Sequence, residues 1–298
     1  SCLTSWVFCR WMKGEVMIKL IASDLDGTLL DEPNRISKIN LDAIEYAYQK
    51  GAKFCFSTGR DLQSVKDITC LLKHKPVLLL GNGSEVYDED ENLVFQNFFN
   101  NKYLEEVCEI MNEHDVPHMI FTTDGFYTTT DPVEVRQRFI ERIGKIRNQE
   151  MAHIFATNLD KPCNNLVQIE DIQEFAKTKK VLKVEGFHYN SKPVEDVKKV
   201  LEKFTELSHL STGKNNVEVT NLTATKGLAL KRYCEYANIK EDEVMVMGDS
   251  HNDLSMFEFF KYSFAPENSI QEIKDYAYKV VKSCDEHGVS QAIYEFIK

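Results

Sequence analysis

Met17-Ile18-Lys19-Leu20-Ile21-Ala22-Ser23-Asp24-Leu25-Asp26-Gly27-Thr28 decides the fold. Met17 to Ala22 is apolar enough to be a buried strand, and the chain then turns through two carboxylates separated by one residue. At the mouth of a strand, one such acid can attack phosphorus and hold a cation, while the other exchanges a proton with a leaving group. An Asp-x-Asp-Gly turn also occurs as a plain loop, so the turn alone does not assign chemistry.

Outward from this stretch, short apolar runs alternate with amphipathic helical patterns, the grammar of a doubly wound parallel sheet. Ser37 caps a helix carrying Leu41, Ile44, Ala47 and Tyr48, and Gly51 stops it. Lys53 to Phe56 is the second strand. Leu62, Val65, Ile68, Leu71 and Leu72 make one helical face, and Val77 to Leu80 is a strand buried on both sides. Gly81-Asn82-Gly83 is a turn, followed by a small hairpin over Glu85 to Phe95. The same grammar returns with a helix over Lys226 to Ala237, a strand over Val244 to Met247, a helix over Leu254 to Phe260, and strands at Tyr262 to Ala265 and Lys279 to Val281.

Between these blocks, residues 98–217 read differently. Helices are expected near Tyr103–His114, Pro132–Ile143, Ile172–Lys179 and Val194–Lys203, with strands at Met119–Thr123, Gly125–Thr129 and Asn165–Ile169. The economical reading is a core made of 17–97 and 218–298 with an α+β domain inserted at 98–217. Residues 1–16 hold both tryptophans, Trp6 and Trp11, and read as a poorly ordered extension. Its apolar part is too short to span a bilayer; Met17, which opens the first strand, is a candidate natural start, with 1–16 open to reading as a gene-model extension, an expression remnant or a trimmed targeting tail.

Composition sets further bounds. A chain of 298 residues, 43% apolar, suffices for two modest domains. With 47 acidic against 36 basic side chains the formal charge is -11, which argues against a nucleic-acid partner. Eight scattered cysteines without a C-x-x-C pair suggest neither zinc nor disulfides, and a reducing cytoplasm fits them. His114 and His118 stand four apart, but Pro117 breaks the helix that would align them, so a solvent-facing pair is expected.

Four candidate sites fall at strand ends or helix starts, the crevice of an open α/β sheet. They are Asp24 with Asp26; Ser57-Thr58-Gly59-Arg60, whose hydroxyl and free amides can grip phosphate oxygens; Lys226 at a helix start; and Gly248-Asp249-Ser250-His251-Asn252-Asp253, rich in oxygen ligands. A lysine at a helix N-terminus opposes the helix dipole by up to about 1 kcal/mol, so an anion should compensate it. Each site alone has a bland reading as turn, cap or surface. Together they crowd carboxylates at one sheet edge, which repel unless a cation sits among them.

These motifs resemble the haloacid dehalogenase superfamily of phosphohydrolases, and within it the Cof-type branch, subfamily IIB, with its large α/β cap. Asp24-x-Asp26-Gly27-Thr28 is similar to the first motif, Thr58-Gly59-Arg60 to the second, Lys226-Gly227 to the third and Gly248-Asp249-Ser250-x-Asn252-Asp253 to the fourth. The resemblance implies a Rossmann-like core with a cap that selects the substrate, and a magnesium-dependent phosphatase in the cytoplasm acting on small phosphorylated metabolites such as sugar phosphates. It implies Asp24 as nucleophile and Asp26 as the protonated acid, later base. Magnesium is implied on the Asp24 carboxylate, the Asp26 carbonyl and Asp249, with Asp253 behind them. Thr58, Gly59, Lys226 and Asn252 are implied at the phosphate.

Other readings remain beside it. Asp26 disfavours a dehalogenase, since a halide leaves without a proton. A phosphosugar mutase through the same aspartyl phosphate, or a non-catalytic regulatory binder on the same fold, are the alternatives. Within the cap, Tyr127, Arg136 and Arg138 are conceivable binders, and His251 reads as structural. No membrane partner is expected, and a monomer satisfies all of these readings.

Overall fold

Ile21 packs to one side of its strand while Leu20 and Ala22 pack to the other, and all three are fully buried. That two-sided burial turns the opening apolar run into an interior strand. The computed structural model describes residues 17–31, 35–211 and 213–298. The expected extension at 1–16 lies outside the described residues.

Five strands come first: β1 (Leu20–Ser23), β2 (Lys53–Ser57), β3 (Val77–Leu80), β4 (Glu85–Tyr87) and β5 (Leu93–Gln96). Six follow: β6 (His118–Thr122), β7 (Phe126–Thr128), β8 (Leu166–Gln168), β9 (Val181–Phe187), β10 (Leu207–Leu210) and β11 (Asn216–Asn221). β12 (Val244–Met247), β13 (Tyr262–Pro266) and β14 (Lys279–Val281) close the chain.

The first sheet has the order β14-β13-β12-β1-β2-β3-β4-β5. Its pairings are parallel from β14 through β3, and the hairpin β4–β5 is antiparallel. Helices Lys38–Gln49 and Gly288–Phe296 cover one face; Lys226–Ala237 and Leu254–Phe259 cover the other. From β1 the chain steps outward to β2 and β3, and after the insertion it returns on β1's other side as β12. The sheet's switch point therefore lies at the carboxyl ends of β1 and β12, where such sheets bind ligands.

The second sheet, β10-β11-β9-β6-β7-β8, is built wholly from the chain between β5 and helix Lys226–Ala237. Helices Leu104–Glu113, Ile172–Thr178 and Ser191–Leu201 cover one face. Helices Pro132–Ile146 and Gln149–Thr157 pack on the other with Met119, Phe121 and Phe187. The expected boundary between 217 and 218 falls inside β11, which stays paired in this sheet through Asn221.

Several elements escaped the sequence reading: β9, β10, β11 and the helices Gln149–Thr157, Gln271–Tyr276 and Gly288–Phe296. β9 is the largest omission, because it pairs with both β6 and β11. Lys183 and Glu185 interrupt its apolar pattern, yet Lys183 is buried; their polar partners lie in the interior rather than in water. The expectation for the histidine pair is also corrected. His118 is completely buried on β6, its Nε2 bonded to Thr129 Oγ1 at 2.8 Å, because Pro117 starts a strand there. Burial pulls its pKa down to about 4.

Candidate active site

Asp24 follows β1 directly, and its backbone N–H donates to Met247 O at the end of β12, 2.9 Å away. Gly27 adopts φ +86°, and a Cβ there would lie 2.6 Å from Asp249 Oδ2, so the turn closes only around glycine. Thr28 Oγ1 donates to Asp249 Oδ1 at 2.8 Å, tying the first acidic turn to the last.

Lys226 opens its helix behind Asp24. Its Nζ donates to Asp24 Oδ1 and to Asp253 Oδ1, both at 2.6 Å, and the lysine is wholly buried. These two carboxylates are the anionic compensation its position demands. Asp253 Oδ2 accepts from the backbone amides of Asp249 and Ser250 at 2.9 and 3.1 Å, so both its oxygens are committed to holding the loop. Oxygens of Asp24, Asp249 and Asp253 lie within 4.8 Å of one another.

Asp26 faces the other way, into the crevice, and Arg60 clasps it through Nε at 2.8 Å and Nη2 at 2.6 Å. Burial alone would raise the Asp26 pKa, but the Arg60 guanidinium, with a smaller contribution from Arg147, brings it below the usual value. Asp24 is the reverse: burial raises it well above the usual carboxylate range against the pull of Lys226, and Asp253, Asp249 and Asp26 push the same way. The two acids are split as expected but in the opposite sense, because Arg60 reaches across from the end of β2.

Thr58 and Gly59 stand beside this pair, and Asn252 donates from Nδ2 to Asn82 Oδ1 at 3.0 Å in the Gly81-Asn82-Gly83 turn. Asn82 in turn donates to Glu218 Oε2 on β11 at 2.6 Å. Lys183 Nζ on β9 lies 3.3 Å from Glu218 and 3.4 Å from Glu185. Strands β9 and β11 thus hold two of the predicted phosphate-contacting segments through buried polar groups.

A cavity of about 590 Å³ lies between the two sheets. Asp24, Asp26, Thr58, Gly59, Arg60 and Asn252 line its floor, and Phe121, Phe139, Arg142, Arg147, Lys183 and Glu185 line the opposite wall. Lys226, Asp249 and Asp253 stand behind the floor. Tyr127, Arg136 and Arg138 do not line it: Tyr127 packs edge-on against Phe175, Arg136 bonds Asn164 and Ala156 O, and Arg138 pairs with Asp115. His251 is exposed and pairs with Glu272. The sequence reading missed both Arg142 and Lys183; the i+3 spacing of Arg142 from Phe139 on one helical face was a signal for the first, and the second had none.

Residues 21–293 match the family model of haloacid dehalogenase-like hydrolases. The chain belongs to that family. It is 28% identical to phosphatase YwpJ of Bacillus subtilis over 278 residues, 92% of this chain and 98% of the relative. It is 25% identical to the B. subtilis 5-amino-6-(5-phospho-D-ribitylamino)uracil phosphatase YwtE, over 94% of this chain and 98% of that one. A solved haloacid dehalogenase-like hydrolase from B. subtilis superposes with TM-score 0.80 at 27% identity, over 93% of this chain and 99% of that chain. The chain is a phosphatase of the haloacid dehalogenase-like hydrolases. Among its described residues no helix is long and apolar enough to cross a membrane.

The acidic cluster of this hydrolase suits a divalent cation. Burial and the neighbouring Asp253 raise the Asp249 pKa to about 7, against the Thr28 hydrogen bond and Lys226. Three carboxylates share a single buried lysine, so the cluster is short of positive charge. Hard carboxylate oxygens on Asp24 and Asp249 are the donor type that magnesium takes.

Proposed function

We propose that this phosphatase is magnesium-dependent and cleaves small phosphorylated metabolites, with sugar phosphates as the substrate class, through an aspartyl phosphate on Asp24. The observation that carries the reading is the Lys226 bridge, which aims Asp24 out of the switch point while Asp249 converges beside it. Asp24, Asp249 and the Asp26 carbonyl would hold magnesium, which supplies charge for the phosphoryl oxygens.

Asp24 Oδ attacks phosphorus in line, forming the acyl phosphate as the bond to the alkoxide breaks. Asp26 is the crevice-facing acid that gives its proton to that alkoxide and then takes one from the attacking water. For the first step it must be protonated, so Arg60 has to turn from Asp26 toward the phosphoryl oxygens. Thr58, the Gly59 amide and the free N–H of Asn252 grip those oxygens. Lys226, buried behind the floor, offsets charge at Asp24 instead of reaching into the cavity. The inserted sheet closes the chamber over the leaving group, and we read 98–217, extended to the end of β11, as the specificity cap. Substrates named for relatives at this level of identity, among them a phosphoribityl compound, are of the same phosphorylated-metabolite kind.

A panel of phosphorylated metabolites, with and without magnesium, tests this. Inorganic phosphate released only with the metal is expected. No release from any member would overturn it, and an isomeric phosphosugar formed from a hexose 1-phosphate would favour a mutase.

A further inference from the structure

The cap wall of the cavity combines two features that a neutral polyol does not require. One is apolar: Phe121, Phe139, Ile143 and Phe155 face the chamber. The other is a pair of arginines at the end of helix Pro132–Ile146. Arg142 places its Nε in the interior with no hydrogen-bond partner, its guanidinium 6.0 Å from the Phe139 ring. Arg147, the residue that ends the same helix, lines the cavity too.

The buried cations beside the chamber already have anionic partners, whereas Lys161 lies over the Phe155 ring and Lys214 is exposed to solvent at the rim. Lys183 is taken by Glu218 and Glu185, and Arg60 across the chamber by Asp26. Among the described residues no carboxylate comes within ion-pair distance of Arg142 or Arg147, although the chain carries 47 acids. Burial disfavours the Arg142 charge, Glu185 supports it and Arg147 opposes it, so the two arginines are close enough to repel. A half-buried arginine beside another, without an anion, is costly unless a ligand supplies the negative charge. A guanidinium pair also matches the planar, two-oxygen geometry of a carboxylate or phosphate.

We propose that Arg142 and Arg147 form a second anion subsite, and that the substrate is a phosphate monoester whose body has an apolar or planar face and carries a further anionic group. This deepens the phosphatase reading and rests on it for the location of the scissile phosphate. The apolar wall holds the body and the arginines take the remote anion, which fixes the ester over Asp24.

The probes are phenyl phosphate and 4-carboxyphenyl phosphate, alike except for the remote carboxylate. Binding of both to Asp24→Asn protein is measured by calorimetry with magnesium present, and turnover of both by the wild-type chain. At least a tenfold tighter binding of the carboxylated ester is expected. In Arg147→Gln, and in Arg142→Gln on the same background, that ratio should fall toward one. Arg147 is exposed, so its replacement carries the test even where Arg142→Gln fails to fold. Equal affinity for the two esters, or a preference unchanged in Arg147→Gln, overturns the subsite. Preferential binding without turnover by the wild type would instead leave the subsite standing and overturn the phosphatase reading.

Discussion

Lys183 Nζ, on the central strand of the inserted sheet, donates to the carbonyl oxygen of Gly59 at 2.9 Å. Gly59 belongs to the loop after β2 that faces the Asp24 crevice, so a cap side chain fixes a core loop. The lysine stays charged because Glu218 and Glu185 raise its pKa against the effect of burial. Removing it with Lys183→Met strands the buried Glu218 carboxylate. A loss of about 3–5 kcal/mol is expected in urea unfolding. Lys183→Met combined with Glu218→Gln should recover part of that loss, and a single variant as stable as the parent would refute the ionic tie.

Asp24→Asn removes the proposed nucleophile while preserving shape. Turnover should drop to less than one part in a hundred, about 2.7 kcal/mol of barrier. The fold should not suffer, since burial and three neighbouring acids already disfavour the Asp24 charge. Steady-state assay and thermal melting of the same preparation check both halves.

Magnesium should stabilise the chain as well as activate it. Ligand at about a hundred times its dissociation constant adds about 2.7 kcal/mol, visible as a rise in melting temperature. Asp249→Asn should abolish that rise, because it removes one of the two carboxylates proposed to hold the ion. A melting temperature indifferent to magnesium in the parent would count against the site.

His118 gives the chain an acid-side weakness. Its pKa is about 4 when folded against an ordinary value of 6.5, so the unfolded chain binds the extra proton between those limits. Its contribution is intact above pH 6.5 and diminishes as pH falls toward 4, by about 3 kcal/mol in all. Relative to the parent, His118→Gln should gain about that much across the same window in denaturant titrations. Parallel stability curves for the two proteins would remove His118 as the cause.

The core was legible because its rules are local. Val77 to Leu80 and Val244 to Met247 are continuous apolar runs that read as strands, and they are observed with the expected bounds. The helix over Lys226 to Ala237 is likewise observed with the expected bounds. The cap was less legible: β9 and β11 bury Lys183 and Glu218, so polarity there signals an interior contact with another part of the chain rather than a solvent face.

By itself the sequence determined the strand–helix alternation of the core and the four acidic, hydroxyl and lysine motifs at its strand ends, since each depends on neighbours a few residues away. Tertiary structure alone decided which charge meets which: Lys226 between Asp24 and Asp253, Arg60 on Asp26, and Arg142 with Arg147 lining the chamber with no ion pair to either among the described residues. Coulomb energies and burial depend on distances through space, and residues 24, 60, 226 and 253 become neighbours only once the sheet has closed.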